Sequence, residues 1–111
     1  MVTAKTALFD TRLQEKANLF RVLGHPARLQ ILQFLAETKT CISTDISDEL
    51  PLSRTTVNQH LNELKELGLI KGQVEGVRMN YCLDHQKIEE MKTLLGGFLD
   101  EFQLPDNYNC E

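Results

Sequence analysis

This 111-residue chain predicts a mainly helical fold carrying one small β-hairpin, on three observations. Most of the chain repeats its apolar residues at helical spacing. One short stretch, residues 77–83, switches to alternation. Proline, glycine and small polar residues stand at the points where the period breaks. The length suits one domain with a modest core, so residues 1–103 are expected as a single unit and 104–111 as a flexible tail.

The elements follow in order. Residues 11–23 place Leu13, Ala17 and Phe20 on one helical face, with Leu19 and Leu23 beside them. Gly24 ends that helix and His25-Pro26 opens the next, because proline is well tolerated in a first turn. In PARLQILQFLAET (26–38), Leu29, Ile31, Leu32, Phe34 and Leu35 cover most of the surface. Arg28, Gln30, Gln33 and Glu37 leave only a wet edge, which marks this as the central core helix. STDISDEL (43–50) supplies cap residues and the pair Ile46 and Leu50 at i, i+4, enough for about two turns before Pro51 breaks it. Ser53 caps a further helix whose Val57, Leu61, Leu64 and Leu67 form one stripe, ending at Gly68.

VRMNYCL (77–83) then alternates Val77, Met79, Tyr81 and Leu83 with Arg78, Asn80 and Cys82, as a half-buried strand requires. With Glu75-Gly76 as the turn, LIKGQV pairs with it. A last helix from about Asp84 to Phe102 is expected to bury Ile88, Met91, Leu95, Phe98, Leu99 and Phe102. About five helices and a two-stranded antiparallel ribbon, with two short helices joined by a tight polar turn before it, make a winged helix-turn-helix.

Charge and cysteine usage narrow the function. The net charge is −4, yet the acid sits at the end: residues 84–111 carry −5 and residues 53–83 carry +1. A polyanion partner for the middle of the chain therefore remains open. There is no apolar run of membrane-spanning length, and MVTAKTALFD lacks the build of a signal peptide, so a cytoplasmic protein with no membrane partner is expected. The three cysteines, at 41, 82 and 110, are too few and too scattered for a secreted disulfide framework and suit a reducing compartment. His25, His60 and His85 have no nucleophile or carboxylate at fixed spacing, so no enzymic activity is expected.

SRTTVNQHLNELKELGLIK (53–71) divides into two jobs. Its leucine-spaced stripe packs the helix. Ser53, Arg54, Thr55, Thr56, Asn58 and Gln59 stand at the exposed N-terminal end, where hydroxyl, amide and guanidinium groups can meet base edges in the major groove of DNA. Free amides at a helix N-terminus favour phosphate as well. Lys71 and Arg78, on the wing, are candidate phosphate contacts. His60 lies on the shoulder of the stripe and reads as a hydrogen-bonded structural histidine.

At these segments the chain resembles the ArsR/SmtB family of repressors. FRVLGHPARLQILQFL resembles the family's second-helix signature, SRTTVNQHLNELKELGLIK its recognition helix, and VEGVRMNYCL its wing, together covering roughly residues 10–100. The resemblance implies a homodimeric transcriptional repressor, paired through its first and last helices, that binds an inverted-repeat operator. It also implies release from DNA by an inducer, often a metal ion or metalloid.

The departures matter. Where the family's metal box places two cysteines one and three residues before the aspartate matched by Asp45, this chain has Thr44 and Ile42, with Cys41 one residue further out. The last-helix zinc box aligns with His85, Lys87, Phe98 and Glu101, which cannot supply four ligands. The wing's basic residue, Arg78, follows Glu75-Gly76 by two positions where the family has one. No cofactor is expected. The remaining candidates for an inducer ion such as arsenite are Cys41, Cys110 and Cys82, since a soft metalloid favours thiolates. Alternatives are a Cys41–Cys110 redox switch, a protein-interaction module that uses the fold without DNA, and three inert thiols.

Overall fold

The computed structural model describes residues 8–38, 46–75 and 78–109. Among them are helices α1 (Thr11–Leu23), α2 (Pro26–Thr38), α3 (Arg54–Glu66) and α4 (His85–Asp100), with a 3-10 turn at Ile46–Glu49. Strands β1 (Ile70–Glu75) and β2 (Arg78–Leu83) pair antiparallel, from Ile70 opposite Leu83 to Glu75 opposite Arg78. This is a winged helix-turn-helix.

Local chemistry explains where each element starts and stops. His25 precedes α2 and caps it, its carbonyl accepting from the amides of Arg28 (3.0 Å) and Leu29 (3.1 Å). Ser53 caps α3 by accepting the Thr56 amide at 3.2 Å. Asp84 does the same for α4, accepting the Lys87 amide at 3.0 Å. At the other end of α3, Gly68 has φ of 86°, and the amides of Gly68 and Leu69 return to the carbonyls of Lys65 (2.9 Å) and Leu64 (3.1 Å). That paired closure needs a left-handed residue, which glycine supplies without a Cβ clash. It turns the chain directly from the helix into β1.

The core gathers Val22, Ile31, Leu35, Ile46, Leu50, Val57, Leu61, Leu64, Leu69 and Ile70. Helix α2 is central, packed on α1, α3 and β2. The stripe expected on α3 is buried at Val57, Leu61 and Leu64, with Leu67 packed beside it. Full burial of each such side chain is worth about 1.5–3 kcal/mol.

Several expectations are corrected. The two-turn helix expected over 43–50 is a single 3-10 turn among the described residues, closed by the Leu50 amide on the Ser47 carbonyl at 3.3 Å. Two apolar residues before a proline suffice to dock a turn but not to propagate a helix. Glu75 belongs to β1, so the wing's connection is residues 76–77, which lie outside the described set with Val77. On α1, Leu19 and Val22 are buried while Leu13 and Phe20 are exposed. On α2, Leu29 is 48% exposed, and the supposed wet-edge residue Arg28 is half-buried.

Helix α4 departs furthest. It buries no residue: Ile88 and Met91 pack partly on the core, while Leu99 and Phe102 are 57% and 63% exposed. Phe98 meets Phe20 of α1 edge-on at 5.7 Å and Phe102 at 5.2 Å. A cleft of about 940 Å³ runs between α1 and α4, lined in part by Lys16, Leu19, Met91, Leu94 and Phe98.

Candidate nucleic-acid interface

Helix α3 presents two unlike sides. Val57, His60, Leu61 and Leu64 face inward, and Arg54, Thr55, Asn58 and Gln59 are exposed. The period of 3.6 makes this inevitable for residues 55, 58 and 59, which lie away from the side taken by 57, 61 and 64, while Arg54 is exposed as the first residue of the helix. The sequence places these groups together correctly, with two refinements. The hydroxyls of Ser53 and Thr56 bond each other at 3.0 Å, and Ser53 also holds the Thr56 amide. Both are engaged in the cap, and Thr56 is half-buried. In addition, Asn62 continues the exposed side of Asn58 and Gln59 one turn further. The i, i+3, i+4 spacing from Asn58 could have signalled it.

The wing follows α3 directly because Gly68 turns the chain straight into β1, which packs on α3. Lys71 is exposed on β1, opposite Cys82. Arg78 begins β2 at the far end of the ribbon, opposite Glu75. The N-terminus of α3 adds partial positive charge beside Arg54.

Behind the exposed side, three residues fix α3 to α2. Arg28 Nε donates to His60 Nδ1 at 3.1 Å, and its Nη1 donates to the Val22 carbonyl at 3.1 Å. His25 Nδ1 accepts the Ala27 amide at 3.0 Å, and its ring centroid lies 4.2 Å from that of His60. His60 is 8% exposed. Burial pulls its pKa below the ordinary 6.5, the charges of His25 and Arg28 push it further down, and Glu63 opposes them. The reading of His60 as a hydrogen-bonded structural histidine holds. The parts of Arg28 and His25 were missed, because partners 32 positions apart in sequence leave no periodic signal.

Of the candidate ion ligands, only Cys82 is among the described residues. Among the described residues, no group of three or more His, Cys, Asp or Glu side chains could hold a metal ion. Cys82 is disulfide-bonded and in that state offers no thiolate. Cys41 and Cys110 lie outside the described residues. On α4, His85 is exposed in the first turn and Phe98 is a ring-packing residue, so the positions aligned with the family's zinc box do not fit a zinc ion. Among the described residues, no helix is long and apolar enough to cross a membrane.

Residues 25–71, which span α2 to the start of the wing, match the sequence profile of the bacterial regulatory proteins of the arsR family. An HTH-type transcriptional regulator of Methanocaldococcus jannaschii is 33% identical over 84 residues, covering 76% of this chain and 94% of that one. The transcriptional repressor PagR of Bacillus anthracis is 31% identical over 83 residues, covering 75% and 83%. Among solved structures, the homodimeric winged helix-turn-helix DNA-binding domain Mb0332 of Mycobacterium bovis superposes with a TM-score of 0.61. It is 26% identical, covering 89% of this chain and 90% of that one.

Proposed function

We propose a mode of action for a chain that belongs to the arsR family of bacterial regulatory proteins: it is a homodimeric repressor that reads an inverted-repeat operator. The chain is a DNA-binding transcriptional regulator. The observation that carries the proposal is the two-sided helix α3, with an apolar stripe locked in the core and an exposed polar start.

In the proposed complex, the N-terminal half of α3 enters the major groove. Arg54 is placed to donate in paired fashion to a guanine, and Asn58 and Gln59 have the amide geometry that matches adenine. Thr55 meets the adjoining base or phosphate. Ser53 and Thr56 contribute by keeping the first turn closed, so that its amides face the DNA backbone. Lys71 and Arg78 reach phosphates from the wing, adding affinity without choosing sequence.

Pairing would use the exposed apolar side of α1 and α4, including Leu13, Phe20, Leu99 and Phe102. So much contiguous apolar surface is unusual on a monomer. Two-fold pairing then places two α3 helices about one duplex turn apart.

No step is routed through a metal ion, since the described residues do not fit one. A role for Cys41, Cys82 and Cys110 toward arsenite would require the reduced chain, because Cys82 is otherwise engaged.

Selection of duplexes from a random library with the purified chain tests the proposal. An inverted repeat should emerge, and its affinity should fall steeply with salt. Repression should appear when that repeat is set upstream of a reporter. Arsenite, zinc, cadmium, copper and an oxidant, titrated onto the reduced complex, then identify any releasing agent. Absence of salt-dependent binding to any duplex would favour a protein-interaction module.

A further inference from the structure

The contact that seats α3 on α2 is made of acceptors that a proton would remove. Arg28 Nε donates to His60 Nδ1, and the Ala27 amide donates to His25 Nδ1. A guanidinium and a backbone N–H can only donate. Both Nδ1 atoms therefore carry lone pairs, and both imidazoles are neutral with their proton on Nε2. A proton added at His60 Nδ1 would set donor against donor and a second positive charge beside Arg28. His25 braces the same contact, its Nδ1 accepting the Ala27 amide at the start of α2 and its ring centroid lying 4.2 Å from that of His60.

The surrounding charges do not offset this. The groups facing His60 are His25 from the α1–α2 turn, Arg28 from α2 and Glu63 from α3 itself. Arg21 of α1 reaches Glu63 at 3.4 Å, so the one carboxylate of the group is already shared with a guanidinium. A charged His60 would thus meet two guanidinium groups and a single acid.

Position in the fold gives this contact its consequence. His60 follows Gln59 directly and lies within two turns of Arg54, Thr55 and Asn58, on the same rigid helix. A helix held off its seat by repulsion at His60 would carry those groups out of register. Two half-sites must fit together, so the loss is taken twice in a dimer.

We infer that His25, Arg28 and His60 form a proton-sensitive positioning joint for the DNA-reading helix, holding it for DNA while His60 is neutral and releasing it in mildly acidic solution. The inference rests on the DNA-binding reading above. Arg28, His25 and His60 act through α3 and are positioning residues.

The test measures binding of the full chain to its selected duplex by fluorescence anisotropy, from pH 7.5 to pH 5.5 at fixed ionic strength. Wild-type affinity should fall by roughly tenfold or more across that range. His60→Asn keeps an acceptor oxygen near the Nδ1 position but does not titrate in it, so its profile should flatten to about threefold or less. His85→Asn, which alters an exposed histidine on α4, should keep the wild-type slope. A flat wild-type profile, or a wild-type slope retained in His60→Asn, overturns the joint.

Should a variant fail to fold, imidazole nitrogen NMR of the wild type decides the matter. An Nε2–H tautomer of His60 that titrates below pH 6.5 supports the joint. An Nδ1–H tautomer, or titration at or above that value, refutes it. Failure of the wild type to bind any duplex at pH 7.5 counts against the DNA reading instead, while the NMR result still decides the joint.

Discussion

Ser53 and Arg54 are sequence neighbours with different duties, and substitution should separate them. Ser53 closes the first turn of α3, so Ser53→Ala should cost about 1 kcal/mol of stability in urea denaturation. Arg54 begins the exposed side. Arg54→Ala should leave the urea midpoint nearly unchanged and weaken operator binding by on the order of 1–3 kcal/mol, with preference relaxed at one base pair. Unchanged affinity and unchanged preference would mean that another element reads the DNA. His60 adds a pH dependence to stability itself. Its pKa is lowered in the fold, so below pH 6.5 the unfolded chain takes up the proton first. Its contribution is complete above that value and is lost as pH falls through the lowered folded value. Urea midpoints should therefore drop between pH 7.5 and pH 5.5, and drop less in His60→Asn.

At the scale of elements, the junction of α3 and the wing is the tightest constraint. Gly68 sits at φ of 86°, and a Cβ there would meet the Lys87 side chain at 3.4 Å. The neighbour is flexible, so the backbone conformation sets the penalty. Gly68→Ala should cost about 1–2 kcal/mol in a urea titration, and a neutral result would show that the left-handed turn is dispensable. Helix α4 shows the opposite condition. Its start is capped by Asp84, but its apolar side has little to pack on within this chain. A Cβ added at Gly96 or Gly97 meets nothing within 4 Å. Two glycines in a helix interior cost about 1 kcal/mol each relative to alanine. Open space of that kind admits a second backbone.

For the whole molecule, the proposed pairing through the exposed apolar residues of α1 and α4 predicts the oligomeric state. Wild-type chain at micromolar concentration should sediment at twice the chain mass. The double substitution Leu99→Glu with Phe102→Glu should shift it to a monomer and remove most operator affinity, because one half-site alone holds few base contacts. Both residues are already exposed in the single chain, so helical content should persist by circular dichroism. A dimer that survives this double change would place the interface elsewhere.

The sequence by itself determined the helical stripe of α3, its Ser53 cap, its Gly68 stop and the alternating wing. Each is a local pattern, and local patterns are set by backbone geometry and the period of the element. The exposed polar side of α3 was readable for the same reason, since Thr55, Asn58 and Gln59 lie away from Val57, Leu61 and Leu64. Tertiary structure alone decided the rest. It turned Arg28 inward, where the periodic count had put it on a wet edge, because a buried acceptor 32 residues away needed a donor. It made the described part of the segment expected as a helix over 43–50 a 3-10 turn, residues 43–45 lying outside the described residues, and among the described residues it left α4 half-covered although its apolar stripe reads as a core helix. An apolar stripe states that a face needs covering and not what covers it. Only the packing of the other elements decides whether that cover lies in the same chain.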